Sequence, residues 1–360
     1  MNTIPAHFRP LDQLDEARRT LCAGTRLDDV RRAAPRLREA ILASGKPSGV
    51  RTYDLITFPY PTKFGLGGAS LLPLPFVMMR NRVQIVQWMS DGGRRTLLVN
   101  PSDYERSIAA PFFAKQIELY GEFVSRRVMT QRHGTIESAL SAAGVRPAEV
   151  DYITFDHLHV QDLRGLLGEG ALLPNARLIA QREELRTVER LHPLQRPWYV
   201  EGAIDGIDPK RIIPVDREWG DVLLGPGVAL VRTPGHTAGN HSIALNTDDG
   251  LWTISENGIA ADAYAPYASH IPGLKRYAQY NEVEVILNAN TREMSLDQYT
   301  SMVLEKTLAD PCKLRPEFPN HFPSSELTAH PFAPGLSPTH SHGAITHGQL
   351  NATTASTVAA

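Results

Sequence analysis

Hydrophobic positions recur at two different spacings along this chain, and the spacing changes near residue 50. In LDQLDEARRTL and LDDVRRAAPRLREAIL the apolar residues stand three and four apart with charges between them, the period of an amphipathic helix. Residues 1–50 are therefore expected to form an N-terminal helical extension packed on the main domain. RTYDLITF then alternates and is rich in β-branched and aromatic residues. VQIVQWM and RTLLVN are strand-like runs separated by residues 90–94, SDGGR, a hairpin turn. Residues 104–146 return to helical spacing, ending at SALSAAGVRP, where Gly144 suits a C-cap and Pro147 forbids continuation. Strands are predicted at 150–154, 176–180 (ARLIA), 228–233 (VALVRT), 241–246 (HSIALN), 251–255 (LWTIS) and 283–288 (VEVILN), with REELRTVERL as a helix between the second and third. Strands and helices thus mix over residues 51–310, which predicts one layered α/β or α+β domain. Beyond residue 310 prolines and histidines recur, so 311–360 reads as a C-terminal tail whose last ten to twenty residues are loosely attached.

The hydrophobic share of 42% is enough for a sizeable core. Lys plus Arg is 37 against 39 for Asp plus Glu, a formal charge of -2. That balance argues against a nucleic-acid partner and against a polybasic membrane surface. Cys22 and Cys312 lie far apart, so no disulfide framework is implied and a reducing compartment fits. The first residues show no charged segment followed by an apolar run, and the apolar run 68–79 is too short to span a bilayer. A cytoplasmic protein is expected; association with a second copy stays open.

Two of the 13 histidines form His157-Leu158-His159, directly after the apolar strand ending at Thr154. In extended chain, residues i and i+2 point to the same side, so two imidazoles project together from a strand end. A third, His236, follows Thr233-Pro234-Gly235 at the end of another strand. Three neutral imidazoles converging on one point make a tetrahedral zinc site with one open position. Short histidine motifs are common by chance, so the case rests on order and context.

In that order the chain resembles the metallo-β-lactamase superfamily, over roughly residues 80–295. ALSAAGVRPAEVDYITFDHLHVQDLRG (139–165) is similar to that family's helix, Gly turn, "pxdID" strand and HxHxDH signature. LPNARLIAQREEL is similar to its following strand and Glu-bearing helix. LLGPGVALVRTPGHTAGNHSIAL carries its "TPGHTxGH(S)" segment, with His236 at the ligand position. SENG (255–258) stands where the family has "GD", and LNAN (287–290) where it has "GH". The resemblance implies a four-layer αββα sandwich holding one zinc ion on His157, His159 and His236. It also shows departures. The signature's Asp and final His align with Gln161 and Asp162, the bridging Asp with Asn257 (or Glu256 one residue earlier), and the last His with Asn290. A second metal is therefore expected only if the Asp162 and Glu256 carboxylates converge on it.

A zinc ion on three histidines lowers the pKa of bound water to about 7 and polarises a carbonyl or phosphoryl oxygen. The resemblance thus implies hydrolysis of an ester, lactone, thioester, amide or phosphoester in a small organic substrate. Gln161 cannot take a proton, which leaves Asp162 as the first candidate base and Glu256 as the second. Either could equally be a plain ion pair or a supporting carboxylate beside an imidazole. Asp156 is a candidate supporting partner for His157. Arg196, Trp198 and Tyr199 are candidate pocket walls, with ordinary core packing as the alternative. The histidines of the tail, PTHSHG among them, read as solvated or as a metal tract. Two other functions compete with the hydrolase: a mononuclear iron oxygenase of the same fold, since histidines with one carboxylate suit Fe(II), and a binding protein that has lost the chemistry.

Overall fold

The computed structural model describes residues 4–108, 110–123, 125, 129–216, 220–290, 294–330 and 333–351. Two sheets form its centre. In the first, Arg9–Leu11, Asp221–Gly225, Val228–Arg232, His241–Thr247, Gly250–Ser255 and His321–Pro323 lie side by side. In the second the order is His347–Gly348, Gly49–Pro61, Phe76–Ser90, Gly93–Val99, Tyr152–Thr154, Arg177–Gln181 and Ile212–Val215. Ser325–Thr328 also pairs with Phe76–Ser90, and Gln131–Arg132 with Gly49–Pro61. The long hairpin turns at 90–93, where the sequence places it.

Both faces of each sheet are covered, and the alternation of side chains decides which residue goes where. Val228 and Leu230 face the other sheet, with Trp88, Leu97, Val99 and Ile243 in the same core. Ala229 and Val231, one residue out of phase, face the helices, where they meet Leu37 and Ile41 of helix Ala23–Ala43 and Leu304 and Leu308 of helix Ser295–Leu308. On the far side, Leu98, Ile153 and Leu178 pack under Ile136, Leu140 and Leu185 of helices Ile136–Ala142 and Arg182–Glu189. The order of layers is α, β, β, α. Tyr152–Thr154, Arg177–Gln181 and Ile212–Val215 continue the second sheet in parallel from Gly93–Val99, which is why they read as continuous apolar runs.

Three sequence expectations change. The segment expected as a helical extension packed on the main domain also supplies sheet: Arg9–Leu11 is an edge strand, and helix Ala23–Ala43 forms one outer layer, its apolar stripe covering sheet residues that would otherwise face water. Residues 311–360 do not form a tail over their described part. Three short strands of that segment enter the sheets, one in the first and two in the second. The expectation for 352–360 falls outside the described residues. Finally, VEVILN is not a strand. Its backbone bonds go to a short helix and a loop, Ile286 N to Ala263 O and Asn288 N to Asn257 O, because the edge beside Gly250–Ser255 is taken by His321–Pro323 in parallel.

Candidate metal centre

The H-x-H loop leaves the second sheet at the C-terminal end of Tyr152–Thr154. Asn100 guides it: its backbone N–H donates to Thr154 O (2.8 Å) and its side-chain oxygen accepts from Asp156 N (3.1 Å). The loop reverses at Val160, whose φ of +56° is costly for a β-branched residue. The turn is held because Val160 N donates to Trp198 O at 2.7 Å. His236 sits on the turn after Val228–Arg232. There Gly235 has φ +148°, and a Cβ would lie 2.1 Å from Gln298 Cα, so the turn packs directly on helix Ser295–Leu308. Glu184 ties the two loops together. Its Oε1 accepts from Leu158 N and Tyr199 Oη, both at 2.8 Å, and its Oε2 accepts from Thr237 Oγ1 at 2.7 Å.

These loops bring His157, His159 and His236 together. Ring centroids are 4.5 to 5.0 Å apart, and one nitrogen of each ring lies within 4.8 Å of the others. All three are buried. Burial, helped by the neighbouring rings, holds His159 well below its ordinary value and brings His236 down to about 3. Both are therefore neutral with lone pairs, the form that binds a metal. Burial also opposes charge on His157, but the Asp156 carboxylate 3.2 Å from Nδ1 outweighs it and lifts the ring to about 9. Asp156 is itself lowered by that imidazole, against burial, and accepts from Ser324 Oγ at 2.7 Å. His159 Nε2 is buried with no hydrogen-bond partner among the described residues. A buried ring nitrogen with no protein partner, beside two other imidazoles, fits a transition-metal ion and little else.

Two helix-covered sheets, with an H-x-H loop at the end of one and a T-P-G-H turn at the end of the other meeting in one cluster, settle the architecture. The chain has the metallo-β-lactamase fold. No family model matches it. An N-acyl homoserine lactonase of a Bacillus species is 31% identical over 130 residues, 36% of this chain and 46% of that protein. N-acyl homoserine lactonase AiiA of Bacillus thuringiensis subsp. kurstaki is 32% identical over 130 residues, with the same coverage of 36% and 46%. The chain thus matches less than half the length of these curated relatives. Among solved structures, the dizinc quorum-quenching lactonase AidC, in complex with a product, aligns over 83% of this chain and 94% of its own at 12% identity and a TM-score of 0.48.

Within this metallo-β-lactamase fold the positions of a second metal are spent otherwise. Asp162 turns away: its two carboxylate oxygens bind the Arg164 guanidinium at 2.8 and 2.7 Å. That contact holds its carboxyl below the usual range, and among the described residues it belongs to none of the clusters that could hold an ion. Residue 162 lies two positions after the left-handed turn at Val160. Gln161 stays in the cleft, donating to Ser102 Oγ at 3.0 Å. Asn257 is no candidate ligand, because both ends of its amide are engaged. Its oxygen accepts from His236 N (3.2 Å) and its nitrogen donates to Thr233 O and to Glu305. Asn290 does face the site, its amide 3.4 Å from His159 Nδ1. Glu256 is also there, grouped with Asp156 and His157 and accepting from Ser325 Oγ at 2.8 Å. Burial, reinforced by Asp156, raises its carboxyl to about 7 although His157 pulls the other way.

The histidine cluster opens on a narrow cleft, with room of about 50 Å³, walled by Phe58, Tyr60, Phe112, Phe113 and Trp198. Phe112 stacks on Trp198 at 4.9 Å, and Phe58 meets Phe113 edge to face at 5.4 Å. Of the three pocket-wall candidates, Trp198 lines the cleft, Tyr199 is buried against Glu184, and Arg196 is exposed. The sequence reading missed Ser324 and Ser325, which come from the supposed tail, and Asn100. Asn100 alone left a readable trace, as an asparagine at a strand end, a residue that tolerates left-handed backbone.

Proposed function

We propose that the chain is a zinc-dependent hydrolase that cleaves an ester or lactone bond in a small organic substrate with an apolar arm. One observation carries the reading: three buried imidazoles, two of them held neutral, lie at the floor of an aromatic-walled cleft. A zinc ion held by three histidines supplies an acidified water and a Lewis acid for a carbonyl. The chain's own groups do the rest. Asp156 orients His157 through Nδ1, and Asn290 faces His159. Asp156 and Glu256 both line the cleft; Asp156 is engaged with His157 and Ser324, so Glu256 is the carboxylate placed to take or hold a proton there, or to add a ligand. Asp162, committed to Arg164, does neither. With Gln161, Asn257 and Asn290 at the family's second-metal positions, one ion is expected. The aromatic wall excludes water and suits an acyl chain.

The curated relatives are named N-acyl homoserine lactonases, so N-acyl homoserine lactones of graded acyl length are the first substrates to assay. The expected result is hydrolysis that requires zinc, improves with chain length, and disappears in His159→Ala together with the metal held by the three histidines. Iron in place of zinc with oxygen uptake would overturn it in favour of an oxygenase. Retained function in a His159→Ala protein whose histidine cluster holds no metal would point to a binding protein.

A further inference from the structure

We propose that Cys312, His340 and His342 form a second metal site, sharing no residue with the three-histidine cluster, and that it takes a zinc ion. The three side chains come from two stretches that the hydrolytic site does not use. Cys312 Sγ lies 3.5 Å from His340 Nε2, and that nitrogen lies 3.3 Å from His342 Nδ1. All three atoms fall within 4.8 Å of one another. A tetrahedral zinc ion with bonds of about 2.3 Å to sulfur and about 2.05 Å to nitrogen puts its sulfur and nitrogen ligands about 3.5 Å apart and its nitrogens about 3.3 Å apart. The observed edges match both values.

The protons point the same way. His342 Nε2 is 3.0 Å from Pro319 O, and a carbonyl can only accept, so Nε2 carries the hydrogen and Nδ1 the lone pair in the neutral ring. A ligating histidine whose other nitrogen donates to a backbone carbonyl is the usual support for a metal bond. His340 Nε2 then faces both a sulfur and a lone-pair nitrogen with at most one proton of its own. A cation satisfies all three atoms at once. The ring planes are fixed independently: His340 stacks on Phe318 at 5.4 Å, and His342 meets Trp252 edge to face at 4.9 Å. Cys312 N bonds Phe318 O at 2.8 Å, so the thiol's loop and the ring beneath His340 form one unit. The ion would clip the C-terminal segment, between Thr339 on Asp262 and the strand His347–Gly348, to this loop. Three protein ligands leave one tetrahedral position for water, in keeping with the partial exposure of both rings.

The test uses the full chain loaded with zinc, then with cobalt(II). The three-histidine cluster has no sulfur, so a thiolate-to-cobalt charge-transfer band reports the proposed site alone. The expected result is that band in the wild type, in Cys22→Ser and in His159→Ala. Its loss is expected in Cys312→Ser, together with about one metal equivalent per chain. If Cys312→Ser fails to fold, His340→Ala, at a partly exposed ring, is expected to lose the same equivalent. No thiolate band in the wild type, or a band that follows Cys22 instead, would overturn the proposal. So would unchanged metal content in both Cys312→Ser and His340→Ala.

Discussion

Glu184→Ala should cost the protein more than any change in the cleft wall, although Glu184 is buried behind the histidines. Its carboxylate receives one backbone N–H from the H-x-H loop, one hydroxyl from Tyr199 and one from Thr237 beside His236. Hydrogen bonds to a charged group contribute about 1.5–3 kcal/mol each, and an orphaned buried N–H costs about 1–3 kcal/mol. Ala removes all three bonds and leaves Leu158 N without a partner, so a loss of about 3–5 kcal/mol is expected after overlap between the bonds is allowed for. Gln keeps Oε1 for Leu158 N and Tyr199, and Thr237 has only to turn its hydroxyl toward the new amide. Its loss should be about 1–2 kcal/mol. Urea unfolding of the chelated protein measures the stability. Zinc competition against a chromophoric chelator measures the site, where Glu184→Ala should bind at least tenfold more weakly. An Ala variant within about 0.5 kcal/mol of wild type and with unchanged zinc affinity would refute the view that this carboxylate couples the two loops.

Four further outcomes are expected. Gly235→Ala should fold poorly or lose its metal, since its Cβ would meet Gln298 Cα at 2.1 Å; metal content and thermal unfolding check this. Arg82→Met should destabilise by about 3–5 kcal/mol, because it strands the buried Glu326 carboxylate, and Arg82→Met/Glu326→Leu should recover much of the loss, as double-mutant urea curves will show. Asp162→Asn should leave zinc content and turnover within about threefold of wild type, a change of under about 1 kcal/mol. His241 is brought down to about 4 by burial, with His157 adding to it and Asp156 opposing. A base whose folded pKa lies below its unfolded 6.5 contributes stability that is present above pH 6.5 and lost as pH falls through 4. Thr154 gives its one hydroxyl proton to Ile179 O, so His241 Nε2 must be the donor between them, a role that Gln can imitate. His241→Gln should therefore flatten the acid side of the stability curve by about 2–3 kcal/mol between pH 7 and pH 4.5.

The three imidazoles were legible because each belongs to a short motif at the end of an apolar run, and the order of the motifs carried them to the right sheets. The second-metal positions were harder to read. That Asp162 pairs with Arg164 and not with the histidines is decided by loop geometry around the left-handed Val160, which nothing in V-Q-D announces. Choosing between Glu256 and Asn257 required knowing that Asn257 is consumed by His236 N, Thr233 O and Glu305. The C-terminal stretch misled on composition. Its strands span only two to four residues and are set among prolines, so they have no period to detect and form only because edges of both sheets await them. VEVILN had the opposite history, a strand-like pattern with no edge left to join.

The placement of residues 321–328 also bears on how the molecule is made. His321–Pro323 closes the first sheet, Ser324 and Ser325 hold Asp156 and Glu256, and Ser325–Thr328 joins the second sheet. On the ribosome, residues 321–328 must emerge before any of these contacts can form. Until then the Gly250–Ser255 strand is a bare edge, open to pairing with another nascent chain. Assembly around the three histidines thus waits on a segment distant from them in the chain, and a product stalled or clipped before residue 321 would lack that sheet edge and both serines and would be prone to aggregate.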